Sequence, residues 1–117
     1  MKILIDIGHP AHVHYFRNFI KIMETKGHTF LVIARDKEVT FKLLKAFNIS
    51  YISRGKGGKG FWGKLLYMFK GDYIMFREAK KFKPDIYLSF ASVYAAQVSK
   101  IFRKPHIAFN DTEHALL

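Results

Sequence analysis

The arrangement of apolar residues constrains this chain more than any other feature. Short apolar runs at residues 2–6 and 29–34 are each followed by a stretch of helical periodicity rather than by a hairpin turn. The same order returns after residues 86–89, and residues 106–109 make a last strand. Parallel neighbouring strands need crossover connections, and right-handed crossovers cover both faces of a sheet. The pattern therefore predicts an α/β fold with a doubly wound, mostly parallel sheet and helices on both faces.

The helical segments have recognisable ends. The first should begin after Pro10, which suits a first turn, and end before Gly27, which suits the position after a helix. A weak third strand is expected at residues 50–53. Because another helix begins where the chain stops, we expect residues 1–117 to form one domain that is incomplete at Leu117. The helices are predicted at residues 11–26, 37–47, 61–83 and 93–102.

One stretch interrupts the alternation. Residues 54–60 contain four glycines among Arg54 and two lysines, too much glycine for regular structure and too much charge for burial. We expect a mobile surface loop there. Helical spacing then returns, but a straight helix would place Asp72 among apolar residues, so either a kink at Gly71 or two separate helices is expected.

The charge balance indicates a polyanionic neighbour. The chain has 20 Lys and Arg against 9 Asp and Glu, a formal net charge of +11. Aromatic and basic residues crowd the segment after the glycines, and four of them are candidates for contact with an anionic membrane surface: Lys56, Lys59, Trp62 and Lys64. The alternative is that this apolar face packs on the sheet. Nucleic acid is disfavoured, because no nucleic-acid-binding motif accompanies the patch.

The ends of the chain's strands supply the candidate site, since ligands of such sheets sit outside the carboxyl ends of the strands. The loop after the first strand offers Gly8 and His12 for substrate binding and His9 as a base at a helix N-terminus. The spacing of a dinucleotide fingerprint is missing. No metal site is expected, because His12 and His14 would point to opposite sides of a helix and the chain lacks cysteine. The alternative is that these histidines only cap and pack.

Two further loops lie at the same edge. After the last strand, Asp111 or Glu113 is a candidate catalytic base, and Asn110 and His114 are candidate substrate contacts. Asn110 and Glu113 also have the spacing of a capping box, which would explain both without catalysis. The loop after the fourth strand adds two serines that either bind a ligand or cap a helix. They are Ser89 and Ser92.

Two stretches of this sequence carry a family resemblance. Residues 5–14, Ile-Asp-Ile-Gly-His-Pro-Ala-His-Val-His, and residues 109–115, Phe-Asn-Asp-Thr-Glu-His-Ala, resemble the signatures of the prokaryotic domain-of-unknown-function family 354. That family is similar to the two-domain glycosyltransferase B (GT-B) architecture of UDP-N-acetylglucosamine 2-epimerases and of the lipid-intermediate glycosyltransferase of peptidoglycan synthesis. The resemblance implies a Rossmann-like domain that forms the N-terminal half of such an architecture, with the second domain absent.

The resemblance also implies that the two domains bind different substrates. The N-terminal domain would hold a sugar or lipid-linked acceptor, and a C-terminal domain or partner subunit would hold the nucleotide sugar, so this part of the protein needs no cofactor. Glu113 falls near a glutamate of the epimerase active site, whereas Ser92 stands where epimerases have an acidic residue. This departure favours glycosyl transfer over epimerisation.

Two other functions remain open at the level of sequence. One is a UDP-sugar 2-epimerase or hydrolase, and the other is a non-enzymatic basic module that binds an anionic membrane or polymer. The N-terminus has no signal-peptide core, so a cytoplasmic protein is expected, peripheral to the inner face of the membrane if the basic patch meets lipid.

Overall fold

A computed structural model of the protein describes residues 1–55 and 59–109, and the predicted α/β fold is confirmed. Most boundaries lie within one or two residues of those expected from sequence. The elements in chain order are β1 (Lys2–Ile7), α1 (Pro10–Thr25), β2 (Thr29–Ala34), α2 (Glu38–Ala46), β3 (Ile52–Ser53), α3 (Gly60–Phe82), β4 (Ile86–Ser89), α4 (Val93–Ile101) and β5 (His106–Ala108).

The strands form one parallel sheet with the order β3-β2-β1-β4-β5. The chain therefore starts at the central strand, builds outward to β3, and then crosses to the other side of β1 to add β4 and β5. The adjacent strands β1 and β4 continue to helices on opposite faces, which opens a crevice at their carboxyl ends. In the register of the sheet, Asp6 lies beside Ser89 of β4 and beside Ile33 of β2.

The two faces of the sheet carry separate cores. Ile3, Ile5 and Ile7 of β1 pack with α1 and α2, whereas Leu4 packs with residues of α3 and α4. Because side chains alternate along a strand, Asp6 shares its face with Leu4 and points toward α3 and α4. A charged side chain thus lies in the apolar layer under these two helices, where it needs a partner.

The predicted ends of α1 are confirmed. Pro10 occupies its first turn, where a missing N–H costs nothing. At the other end Gly27 takes a φ of +89°, and the amide of His28 donates to the carbonyl of Met23 across 3.1 Å. This left-handed residue ends the helix and directs the chain into β2.

The expected interruption of the third helix is wrong, because α3 runs unbroken from Gly60 to Phe82. Gly71 does not bend the helix but allows α4 to approach: a Cβ at this position would lie 2.7 Å from the ring of Tyr94. Asp72 is accommodated in the straight helix because it is only half-buried and accepts from the Gln97 amide, 2.6 Å away, when that amide turns its nitrogen toward α3. Burial raises the pKa of the Asp72 carboxyl.

Candidate functional site

A pocket of about 270 Å³ lies at the carboxyl ends of β1 and β4, where the strand order reverses. It is formed by the loops that follow these two strands together with the residue after β3 and one turn of α3. Its walls combine one carboxylate, one guanidinium and several hydroxyl and aromatic groups. The lining residues are Asp6, Gly8, His12, Arg54, Met68, Phe90, Ala91, Ser92, Val93 and Tyr94.

Asp6 is the carboxylate at the floor of the pocket and is 1% exposed. Its Oδ1 accepts from Nε of Arg54 across 2.9 Å, and its Oδ2 accepts from the hydroxyl of Ser92. Both oxygens are therefore engaged by donors. A carboxylate held in this way positions its neighbours and is poorly placed to act as the base that takes a proton from a substrate.

Arg54 is a buried residue, 4% exposed, and this contradicts the expectation that residues 54–60 as a whole form a charged surface loop. Its amide donates to the carbonyl of Ala34, 2.9 Å away, so its backbone continues the line of β3. The ion pair with Asp6 compensates the cost of burying the guanidinium. The glycines after Arg54 predicted a surface loop, whereas the burial of Arg54 depends on its ion pair with Asp6, 48 residues earlier in the chain.

Two tyrosines frame the Arg54 guanidinium. Nη1 of Arg54 donates to the hydroxyl of Tyr67 on α3, and its Cζ lies 4.5 Å from the ring centroid of Tyr94 on α4. Burial raises the pKa of Tyr94 to about 12 and raises that of Tyr67, although the nearby Arg54 and Arg35 oppose the shift at Tyr67. Both phenols are therefore neutral hydrogen-bonding groups at physiological pH.

The two histidines predicted for this site, His9 and His12, each accept a hydrogen bond from a nearby backbone amide at Nδ1. His9 is the residue before α1, and its Nδ1 accepts from the amide of Ala11 across 3.1 Å. His12 is buried, its Nδ1 accepts from the amide of Gly8 across 3.2 Å, and its ring stacks on Phe90 with centroids 4.4 Å apart. These bonds assign the proton of each neutral ring to Nε2, so both rings are donors in this arrangement.

Gly8 lies between the floor of the pocket and the start of α1. A Cβ at this position would lie 3.3 Å from Nη2 of Arg54 and 4.0 Å from Cε1 of His12. The absence of a side chain leaves the guanidinium edge accessible from the pocket, which is the close approach expected of this glycine.

The predicted serines have different environments. Ser92 lines the pocket, donates to Asp6, and accepts from the amide of Ala95, so it caps α4 as well. Ser89 is fully buried, and its hydroxyl accepts from the amide of Ser92 across 3.0 Å. The same hydroxyl shares a hydrogen bond of 2.7 Å with Nε2 of His106. Burial lowers the pKa of His106, partly opposed by the charge of Asp6. Ala91, between the serines, has a φ of +52°, a strained conformation for alanine.

Other predicted residues lie outside the described part of the chain. Asn110, Asp111, Glu113 and His114 all follow β5, beyond the last described residue, Phe109. Lys56 also lies outside the described residues. Their roles as catalytic, substrate-binding and membrane groups stay predictions.

The remaining membrane candidates, Lys59, Trp62 and Lys64, are exposed at the start of α3. The alternative expectation, that this apolar face packs on the sheet, is wrong for the first half of the helix. Only the second half of α3 reaches the sheet, through buried residues such as Met75 and Ala79. The exposed large apolar and aromatic side chains of α3, between 40% and 73% exposed, lie in the first half except for Tyr73, just beyond the midpoint: Phe61, Trp62, Leu66, Met68, Phe69 and Tyr73.

Sequence reasoning missed the residues that organise this pocket, namely Asp6, Arg54, Tyr67 and Tyr94. One signal was present: Asp6 ends an apolar run that reads as a buried strand, and a carboxylate there requires a cationic or hydrogen-bonding partner. The partner itself could not be chosen among 20 basic residues without the sheet order.

Two properties of the described residues bear on ligands and membranes. Within residues 1–55 and 59–109, no group of three or more His, Cys, Asp or Glu side chains lies close enough together to hold a metal ion. In the same part of the chain, no helix combines the length and the apolar character that crossing a bilayer requires.

The chain belongs to the family described as "Protein of unknown function (DUF354)", whose model matches residues 1–117. A relative is the uncharacterized protein MJ0665 of Methanocaldococcus jannaschii, 29% identical over 115 residues. The match covers 98% of this chain and 34% of that protein, so the chain spans about a third of the length of this relative.

Solved structures with a similar fold include an epimerase and a rhamnosyltransferase. The UDP-GlcNAc 2-epimerase of Neisseria meningitidis, bound to UDP-GlcNAc, has a TM-score of 0.71 and 16% identity over 91% of this chain and 31% of that chain. MurG of Acinetobacter baumannii has a TM-score of 0.72 and 18% identity over 90% and 33%. The spinosyn rhamnosyltransferase SpnG has a TM-score of 0.72 and 10% identity over 92% and 34%. At these identities the likeness establishes the Rossmann-like, GT-B-type fold of the domain and nothing finer.

Proposed function

We propose that this chain is the N-terminal, acceptor-side domain of a glycosyltransferase-like enzyme that uses a nucleotide sugar. The observation that carries the proposal is the pocket at the carboxyl ends of β1 and β4 that contains Asp6 and Arg54, in a fold similar to those of glycosyltransferases and an epimerase bound to UDP-GlcNAc. The chain spans only about a third of these enzymes, so a C-terminal domain or a partner subunit would supply the main nucleotide-sugar pocket.

The described residues suit binding and orientation of an acceptor. Nη2 of Arg54 offers a donor, and the ring of Phe90 forms an apolar wall. Hydrogen bonds of this kind would hold one hydroxyl of the acceptor facing the cleft, where proximity to the sugar donor lowers the barrier to transfer.

Transfer also requires a group that accepts the proton of that hydroxyl. Asp6 is engaged at both oxygens, and His9 and His12 use Nδ1 to accept backbone amides. We therefore assign the base to Asp111 or Glu113, which follow β5 in the sequence, and keep His9 as a donor that contacts the reacting sugar. Asn110 and His114 would complete the acceptor contacts.

The test uses the intact protein, that is, this chain together with any further part of the protein that matches the remaining length of its relatives. Release of nucleoside diphosphate from a panel of UDP-sugars is measured with and without acceptor sugars and a lipid-linked acceptor. Acceptor-dependent release supports transfer. A changed configuration of the sugar nucleotide, or release of free sugar without acceptor, would instead identify the epimerase or hydrolase alternative.

A second proposal concerns location: we propose that the protein works in the cytoplasm at the inner face of the membrane. Its support is the set of exposed large side chains on α3, called here the exposed stripe: Phe61, Trp62, Leu66, Met68, Phe69 and Tyr73. The exposed cations Lys59, Lys64 and Lys70 flank it. Aromatic rings and lysines on one element suit the headgroup region of anionic bilayers, to which each cation contributes about 1 kcal/mol. Among residues 54–70 there is no acidic residue to oppose this attraction.

Co-sedimentation with vesicles tests the membrane proposal. Binding to vesicles that contain an anionic phospholipid, weaker at high salt and absent with neutral phosphatidylcholine alone, is the expected result. Indifference to anionic lipid would contradict it. Binding to soluble polyanions but not to vesicles would favour a basic module that recognises a polymer.

A further inference from the structure

Most hydrogen-bond donors and acceptors that line the pocket are paired with one another. A donor without such a partner is therefore a candidate contact for a ligand. At the start of α1, the amides of Gly8 and Ala11 donate to histidine rings and the amide of His12 donates to the carbonyl of His9. At the start of α4, the amide of Ala95 donates to Ser92. These backbone amides at the starts of α1 and α4 already have partners within the chain and are not available to a ligand.

The exception is the third nitrogen of Arg54. Nε donates to Asp6 and Nη1 to Tyr67, but within residues 1–55 and 59–109 no hydrogen bond engages Nη2. This nitrogen belongs to a residue that is 4% exposed, and it lies beside Gly8, where an added Cβ would be 3.3 Å from it. Nη2 is not among the fully buried side-chain atoms that lack a hydrogen-bond partner, so it is open to the pocket, where a ligand oxygen can reach it.

The surroundings of Nη2 favour a negatively charged oxygen. Among the described residues that line the pocket, Asp6 is the only carboxylate, and both of its oxygens already accept from Arg54 and Ser92. The rings of Tyr67 and Tyr94 keep the guanidinium in place and limit its contact with water. Hydrogen bonds from a positioned guanidinium to a carboxylate or phosphate are about twice as strong as neutral ones.

We infer that the Nη2 edge of Arg54 is a subsite for an anionic oxygen, a carboxylate or a phosphate carried by the acceptor, which enters the pocket over Gly8. The inference rests on the proposed function in so far as the ligand of this pocket is the acceptor. It narrows that function to acceptors with an acidic group close to the hydroxyl that receives the sugar.

The experiment measures binding of three small probes to the intact protein at constant ionic strength: inorganic phosphate, acetate and neutral methyl glucoside. Heat of binding and the shift in thermal unfolding give the dissociation constants. We expect phosphate or acetate to bind at least ten times more tightly than the neutral sugar. The tighter of the two distinguishes a phosphate-bearing acceptor from a carboxylate-bearing one.

Three variants locate the binding. Arg54→Lys keeps a cation for Asp6 but lacks the third nitrogen, and Gly8→Ala keeps Arg54 but places a methyl group over Nη2. Each should weaken anion binding at least tenfold. The control Lys42→Met removes a cation that is 73% exposed on α2 and should leave the dissociation constants unchanged. Because Gly8→Ala leaves the buried ion pair intact, it keeps the test decisive if Arg54→Lys fails to fold.

The outcomes separate this inference from the proposed function. Wild-type anion affinity in both Arg54→Lys and Gly8→Ala, or no anion binding by the wild type, would overturn the subsite. Transfer to a neutral acceptor that is unaffected by Arg54→Lys would also overturn it, while leaving the transferase proposal standing. Anion binding that depends on Arg54 in a protein without transferase activity would keep the subsite and refute the transferase.

Discussion

Nε of Arg54 donates to Oδ1 of Asp6 across 2.9 Å, and this bond joins the residue after the edge strand β3 to the end of the central strand β1. Both side chains are at most 5% exposed, so water screens the pair little. The pair fixes the guanidinium over the crevice between β1 and β4. The geometry of the pocket therefore depends on a contact between two residues that are 48 positions apart in the chain.

Removing the cation of this pair should strongly destabilise the protein. In Arg54→Met, Asp6 remains buried without its ionic partner, and we expect a loss of about 3–5 kcal/mol in the free energy of unfolding, measured by denaturant titration. The matched control is Lys42→Met, which breaks the exposed 3.1 Å pair with Glu38 and should cost less than about 1 kcal/mol. Equal costs for the two variants would refute the structural role of the Asp6–Arg54 pair.

The close approach of α3 and α4 should be sensitive to a single methyl group. In Gly71→Ala the new Cβ would lie 2.7 Å from the Tyr94 ring, and we expect a cost of about 1–3 kcal/mol from overpacking. Combining it with Tyr94→Leu, which removes the clashing ring, should cost less than the sum of the two single changes. Strict additivity in this double-mutant cycle would show that the two residues do not press on each other.

The exposed stripe on α3 should contribute to membrane binding but not to stability. Trp62 is 73% exposed, so Trp62→Ser should change the free energy of unfolding by no more than about 0.5 kcal/mol while weakening vesicle binding several-fold. Met75 is on the same helix but fully buried, and Met75→Ala should cost about 2–5 kcal/mol. A large loss of stability in Trp62→Ser would mean that the stripe is covered within the folded protein.

Stability should fall with acidification, in part through His106. Burial lowers the pKa of this residue in the folded state, so the unfolded chain binds its proton more readily. The contribution of the neutral ring is complete above the unfolded pKa of about 6.5 and is lost as the pH falls through the lower folded pKa. Urea titrations between pH 8 and pH 5 should show a weaker pH dependence in His106→Gln than in the wild type. Identical slopes would contradict the assignment.

Periodicity predicted the fold well because it reports a local property. The apolar run that became β1, and Pro10 and Gly27 at the ends of α1, are each decided within a few residues. The unbroken α3 was not foreseen, because the role of Gly71 is to make room for Tyr94 of α4 rather than to break the helix. That compensation comes from the packing of two helices and leaves no trace in local sequence.

The site was predicted in location but not in composition. Parallel topology placed Gly8, His12 and Ser92 at the carboxyl ends of β1 and β4, where the pocket lies. Arg54 was assigned to a loop because its neighbours are glycines, and its burial follows from the sheet order, which brings β3 within reach of the Asp6 side chain. Such long-range pairs are set by tertiary structure alone.

The central claim is that this pocket serves an acceptor of glycosyl transfer. It is tested most directly by measuring acceptor-dependent release of nucleoside diphosphate from UDP-sugars by the intact protein, with Asp111→Asn and Glu113→Gln as variants of the two candidate bases and Glu38→Gln, on the exposed end of α2, as the control. We predict release that rises with acceptor concentration, persists in Glu38→Gln and falls at least a hundredfold in Asp111→Asn or in Glu113→Gln, the order of magnitude that a general base contributes. Turnover without acceptor that yields an epimerised sugar nucleotide, or full activity in both Asp111→Asn and Glu113→Gln, would contradict it.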